Sequence, residues 1–122
     1  MKIVETKNAP KALGPYSQAI ISNNLVYTSG QLGINPLTNI LEEGIELQAD
    51  QAFKNISEII KVAGSSLDKV IKTTLFLSDL ANFSIVNEIY AKYFTSNPAR
   101  SCVEVKKLPK DALLEIEVIA EV

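Results

Sequence analysis

Pro98-Ala99-Arg100-Ser101-Cys102-Val103-Glu104-Val105 and, a short loop later, Leu113-Leu114-Glu115-Ile116-Glu117-Val118-Ile119 are the stretches that decide the fold. Successive side chains of a strand point to opposite faces, so the first stretch puts Arg100, Cys102 and Glu104 on one face and Ser101, Val103 and Val105 on the other. The second sets Leu114, Ile116, Val118 and Ala120 against Leu113, Glu115, Glu117, Ile119 and Glu121. Lys106 to Ala112, with Pro109 and Asp111, reads as a hairpin connection. On that reading a guanidinium, a thiol and several carboxylates share one side of one hairpin.

Upstream, Asn82 is placed to cap a helix running to about Phe94, with Phe83, Val86, Tyr90, Tyr93 and Phe94 as its inner stripe. Val70 to Leu77 is a strand with Thr73, Leu75 and Leu77 on one side and Val70, Thr74 and Phe76 on the other. From Ile45 to Ala63 apolar residues recur every three or four positions, which predicts an amphipathic helix stopped by Gly64. Ala19–Ser22 and Leu25–Ser29 read as strands about an Asn23-Asn24 turn, and Lys2 to Glu5 as a first strand. Asn8-Ala9-Pro10, Gly14-Pro15-Tyr16 and Asn35 to Asn39 are loops. The order predicts an α+β fold in which one mixed sheet carries two helices on one face. Phe76, Cys102, Leu113 and Ile119 are expected on the uncovered face, an apolar patch that implies a homo-oligomer.

The 122 residues suit a single domain spanning 1–122, and 47% hydrophobic with 21% charged residues describe a folded globular chain. No apolar run approaches the roughly 20 residues of a membrane span, and Met1 to Thr6 lacks a secretory core, so the expected address is the cytoplasm. One cysteine forms no internal disulfide and no multi-thiolate metal site. The absence of histidine removes the usual zinc ligand, the usual neutral-pH base and every Ser-His or Cys-His pair. No metal or cofactor is expected. With net charge -2 and no basic cluster beyond Lys106-Lys107, nucleic acid is not an expected partner.

Each chemically capable residue has a structural alternative. Arg100, after the rigid Pro98, offers a fork for a carboxylate or a surface ion pair with Glu104, Glu115 or Glu117. Glu115 and Glu117 share a face with Leu113 and Ile119, so a half-dry carboxylate could activate water, or could pair with Lys106, Lys107 or Arg100. Asn87 falls within the apolar stripe of its helix, as an inward amide bonding a loop or a ligand. Gly30, after Ser29 at a strand end, permits close approach of a ligand or simply makes a turn. Tyr16 is a fixed aromatic hydroxyl or an edge-of-core ring, and Cys102 reads better as a packed thiol than as a nucleophile.

Gly14-Pro15-Tyr16-Ser17-Gln18-Ala19, Thr28-Ser29-Gly30-Gln31, Lys72-Thr73-Thr74 with Leu77-Ser78-Asp79-Leu80, Phe83 with Val86-Asn87, and Pro98 to Val105 through Glu115-Ile116-Glu117 together resemble the reactive intermediate deaminase (Rid, formerly YjgF-like) family, in particular its RidA subgroup. The resemblance runs from end to end. It implies a chorismate-mutase-like fold, a homotrimer whose sheets form a central barrel, and clefts between subunits. The implied activity is hydrolysis of 2-imino acids such as 2-iminobutanoate and 2-iminopropanoate to 2-oxo acids and ammonia. Carried over by position, Arg100 binds the substrate carboxylate, Glu115 positions water, Tyr16 and Ser29 belong to the pocket, and Gly30, Asn87 and Cys102 line it. Thr95-Ser96-Asn97 is shorter than in many relatives, which bears on substrate size. The competing reading is a non-catalytic trimer that binds a 2-oxo acid or amino acid.

Overall fold

Asn23 and Asn24 hold φ of 51° and 64°, the left-handed conformation that a two-residue turn between twisted strands requires. They join β2 (Ala19–Ser22) to β3 (Leu25–Thr28) in the predicted hairpin, and β1 (Lys2–Val4) pairs with β2 on its other side. In this computed structural model of residues 1–122, the chain continues through a short pair, β4 (Ile34–Asn35) and β5 (Ile40–Leu41), into α1 (Ile45–Val62). Gly64, at φ 88°, ends α1: its N–H bonds Lys61 O while the Ser65 N–H reaches Ile60 O, so two terminal carbonyls are satisfied as the chain reverses.

β6 (Val70–Leu77), α2 (Phe83–Tyr93) and β7 (Ala99–Glu104) follow, and then β8 (Leu114–Glu121). The six long-sheet strands lie in the order β1-β2-β3-β8-β6-β7, antiparallel except for β6 and β7. This corrects the expected hairpin. β6, α2 and β7 form a strand–helix–strand crossover, which returns β7 parallel to β6, and β8 occupies the other side of β6. Lys106–Ala112 is therefore a connection past β6, with Lys110 and Asp111 both at positive φ.

The register sets the faces. Arg100 and Val118 both lie opposite Thr73, in a row that points toward the helices, whereas Glu115 and Val103 both lie opposite Phe76, in a row that points away. Cys102 falls in the helix-facing set, opposite Leu75, and not on the open face where it was expected. Val70 also departs from strict alternation, because a bulge between Val70 and Lys72 turns it into the core.

Both helices cover one face, as predicted. Phe53, Ile56, Ile59 and Ile60 of α1 are fully buried against Leu75, Leu77, Leu114 and Ile116. The Phe53 ring meets Tyr90, Tyr93 and Phe94 edge-on at 5.9, 5.5 and 5.5 Å, tying α1 to α2. Truncating such a ring to alanine costs about 3–5 kcal/mol. Asn82 stands at the N-cap of α2 but its side chain makes no capping bond; Asp79 instead accepts from the Ala81 N–H one turn earlier. A smaller cluster of Leu32, Ile34, Leu108 and Ala112 packs with Phe76 and Val105 beneath the loop after β3.

The start of the loop before β2 is gathered by one side chain. Buried Gln18 accepts from the Thr6 N–H and donates to the carbonyls of Thr6, Ala9 and Pro10. No helix is long and apolar enough to cross a membrane.

Candidate functional site

Arg100 lies on the edge strand β7, where its side chain reaches α2 instead of a neighbouring strand. Its Nη1 donates to Asn87 Oδ1 at 2.7 Å, and its Cζ sits 4.7 Å from the Tyr90 ring centre and 5.5 Å from that of Phe83. No carboxylate lies within salt-bridge distance: the ion pairs are Lys54–Asp50 and Lys107–Asp111. The expected alternative of an ion pair with Glu104, Glu115 or Glu117 is thus not what the fold builds. Glu104 is engaged elsewhere, accepting from the Leu80 N–H. Arg100 and Asn87 line a cavity of about 410 Å³ with Tyr90, Phe94, Asn97 and Pro98.

Asn87 is exposed, contrary to the inward amide expected from its place in the stripe, and Phe83 likewise reaches the surface. One turn of helix separates Phe83, Asn87 and Tyr90, so all three meet the guanidinium from one side. Cys102, two residues further along the same face, is partly buried against the main core. Burial pushes its thiol pKa up, against a smaller downward pull from the Arg100 charge. A thiol held protonated is a poor nucleophile, which favours the lining role.

Glu115 belongs to a second group on the opposite face. Its carboxyl folds back over Gly30: a Cβ on that glycine would lie 2.7 Å from Glu115 Cδ. The close approach anticipated at Gly30 is therefore made by Glu115 itself. Gln31 and Ile116 exchange both backbone hydrogen bonds, which fixes the Ser29–Gly30 segment beside β8. Tyr16, half exposed and so not an edge-of-core ring, lines a cavity of about 300 Å³ with Gly30, Gln31, Lys110 and Glu115. Ser29 Oγ is committed to Ser17 O at 2.6 Å and braces the Tyr16 loop.

No lysine or arginine pairs with Glu115, so the alternative of a cross-strand pair with Lys106, Lys107 or Arg100 also fails. Burial, with the Glu117 charge two residues along the same face, raises its pKa above the ordinary glutamate value. The sheet separates these groups. One side carries an unpaired cation with an amide and two rings; the other carries an unpaired carboxyl with a tyrosine and the Gly30 backbone. Tyr90 was read from the sequence only as core; its three-residue spacing puts it beside Asn87, and it is the return of β7 along β6 that brings Arg100 to both.

The α+β scaffold is thus a mixed sheet covered on one face, with a guanidinium free of any ion pair on the helix side and a half-buried carboxyl free of any on the other. The chain belongs to the family described as endoribonuclease L-PSP, which it matches over residues 6–122, and with it to the Rid proteins. It is 53% identical over 121 residues to Reactive Intermediate Deaminase A, chloroplastic, of Arabidopsis thaliana, covering 98% of this chain and 65% of that protein's length. It is 44% identical over 123 residues to the 2-iminobutanoate/2-iminopropanoate deaminase of Salmonella typhimurium, covering 98% and 96% of the two chains. Among solved structures, Escherichia coli TdcF with bound serine superposes with a TM-score of 0.96 at 41% identity, covering 100% and 99% of the chains.

Proposed function

We propose that the protein hydrolyses reactive 2-imino acids, among them 2-iminobutanoate and 2-iminopropanoate, to 2-oxo acids and ammonia. The reading rests on one observation: Arg100 is held by an amide and two rings with no carboxylate to neutralise it, which leaves its remaining donors for the carboxylate of a ligand. The deaminase name of the Salmonella relative and the serine held by the Escherichia coli one support it.

Because Arg100 and Glu115 lie on opposite faces of one sheet, a single chain does not bring them to one ligand. Ile3, Tyr27, Ile71 and Val103 stay exposed, the last on the open-face row of Glu115. A homotrimer whose open faces form a central barrel would cover such a surface and set the arginine of one subunit beside the carboxylate of the next. In that intersubunit cleft Arg100 clamps the substrate carboxylate, and Asn87 and Cys102 line the wall. Tyr16, Ser29 and the Gly30 backbone frame the imine. Glu115 takes a proton from water as its oxygen attacks C2 of the protonated imine. Glu115 returns that proton to the carbinolamine nitrogen, the C–N bond breaks as the hydroxyl oxygen closes the C2 carbonyl and gives its proton to the departing amine, and ammonium leaves the 2-oxo acid. The reaction needs neither metal nor cofactor, and the whole of 1–122 acts as one cytoplasmic deaminase domain.

The test is to generate 2-iminobutanoate in situ and follow 2-oxobutanoate release. Acceleration by the wild-type protein and its loss in Arg100→Ala are expected. A protein that binds 2-oxobutanoate without accelerating its release is instead the non-catalytic binding trimer.

A further inference from the structure

Arginine is a flexible side chain, and Arg100 stands on an edge strand where no second strand confines it. What confines it is the Tyr90 ring, whose centre lies 4.7 Å from Cζ. That ring is fixed on three sides. It stacks on Phe94 at 4.5 Å with a 26° interplanar angle, and Phe53 meets it edge-on. Its hydroxyl shares a 2.8 Å hydrogen bond with Thr73 Oγ1, at a residue with no solvent exposure. Thr73 is itself the register partner of Arg100, so one residue of β6 anchors the ring that the next strand's arginine lies against.

The contact to Asn87 uses one of the five guanidinium N–H donors. An amide bond alone would let the group pivot about Nη1. The ring face removes that freedom, because a guanidinium over an aromatic ring is held by the ring quadrupole as well as by contact. A buried hydroxyl pair between tyrosine and threonine is needless for packing, since phenylalanine and valine would fill the same space; its effect is to fix the plane of the ring.

We propose that Thr73 and Tyr90 are positioning residues for Arg100, the Thr73–Tyr90 hydrogen bond setting the ring plane and the ring setting the direction of the guanidinium's free donors. The proposal rests on Arg100 as the carboxylate clamp, but its first readout does not. Arg100 is the only arginine of the chain, so its Nε–Hε group gives a single resonance in a proton–nitrogen correlation spectrum. In the wild type that proton should be displaced by the ring current of Tyr90. Tyr90→Leu should move it most of the way to the free-arginine position, the more distant Phe83 ring holding the remainder, and Thr73→Val and Tyr90→Phe should move it by less. Affinity for 2-oxobutanoate, measured by calorimetry on the same variants, should fall by about three- to tenfold in Tyr90→Leu and less in Thr73→Val. Turnover at saturating substrate should change little in Thr73→Val, so that KM rises more than kcat falls.

A resonance already at the free-arginine position in the wild type, or unmoved in Thr73→Val and Tyr90→Phe, overturns the proposal even if Tyr90→Leu does not fold. Lower melting temperatures with unchanged affinity in Thr73→Val, while Arg100→Ala loses binding, overturn it too. Arg100→Ala without effect on 2-oxobutanoate binding is a different failure, that of the clamp and the deaminase reading.

Discussion

The two halves of the candidate site are built in opposite ways. Around Arg100 every neighbour is a brace: an amide at 2.7 Å, a ring at 4.7 Å and, behind the ring, a buried hydrogen bond to the next strand. Around Glu115 there is no brace but an absence, the missing side chain of Gly30, and beyond it a loop with an exposed tyrosine. The difference follows from the groups. A guanidinium binds through the direction of its donors and is worth fixing. A carboxyl acting as a base needs room for water and a raised pKa, which half-burial beside another carboxylate supplies.

The sharpest break of this comparison is Glu115→Gln against Arg100→Ala. Removing the base should lower turnover by about 10²–10⁴-fold with 2-oxobutanoate affinity kept or improved. Removing the clamp should weaken that affinity by about tenfold or more. Equal losses of binding in the two variants would mean that the halves do not have separate tasks. Gly30→Ala should resemble Glu115→Gln in kind, since the added methyl displaces the carboxyl and not the arginine.

A smaller effect tests whether the halves come from different chains. Arg100→Ala and Glu115→Gln proteins, each nearly inactive, should regain about a quarter of wild-type activity when unfolded and refolded together, the random share of clefts with both groups intact. No recovery in verified mixed oligomers would place the two groups in the service of one chain.

The smallest effect is on pH. Glu115 has a raised pKa in the folded protein, so its ionisation opposes folding: the cost is absent well below the ordinary glutamate pKa, and stability is lost as pH rises through the folded value. Glu115→Gln should therefore stabilise at pH 7 and not at pH 3.5, as read by thermal melts. In turnover, the acid limb should lie above that of an ordinary glutamate. Glu117→Gln should move it down without abolishing the rise, because burial is the larger cause, with Lys11 and Lys110 of the same cavity left in place.

Much of the architecture could be read along the chain because it is local. Asn23-Asn24, the α1 stripe and Gly64 each carry their own geometry in neighbouring residues. Strand order does not. Lys106–Ala112 looks like a turn, yet whether β7 pairs with β8 is decided by where α2 returns the chain, and that is a property of the whole β6–α2–β7 unit. A strand, an 11-residue helix and a strand in succession were the available signal. Missing it placed Arg100 and Glu115 on one side of a hairpin when they stand on two sides of a sheet. Asn87 and Phe83 were misplaced for a related reason: a helix packing beside an edge strand exposes residues that its periodicity alone assigns to the interior.

The Gln18 amide, which holds Thr6, Ala9 and Pro10 together, gives the Tyr16 loop a character of its own. Four hydrogen bonds converge on one side chain, so the loss of that side chain would release all of them at once, and Thr6, Ala9 and Pro10 are expected to open together. Amides that depend on this loop would exchange with solvent hydrogen as one group while the β6 and β8 amides stay protected. Tyr16, which lines one cavity with Glu115, thereby rides on a segment pinned at two points, the Gln18 amide on one side and the Ser29 hydroxyl on Ser17 O on the other.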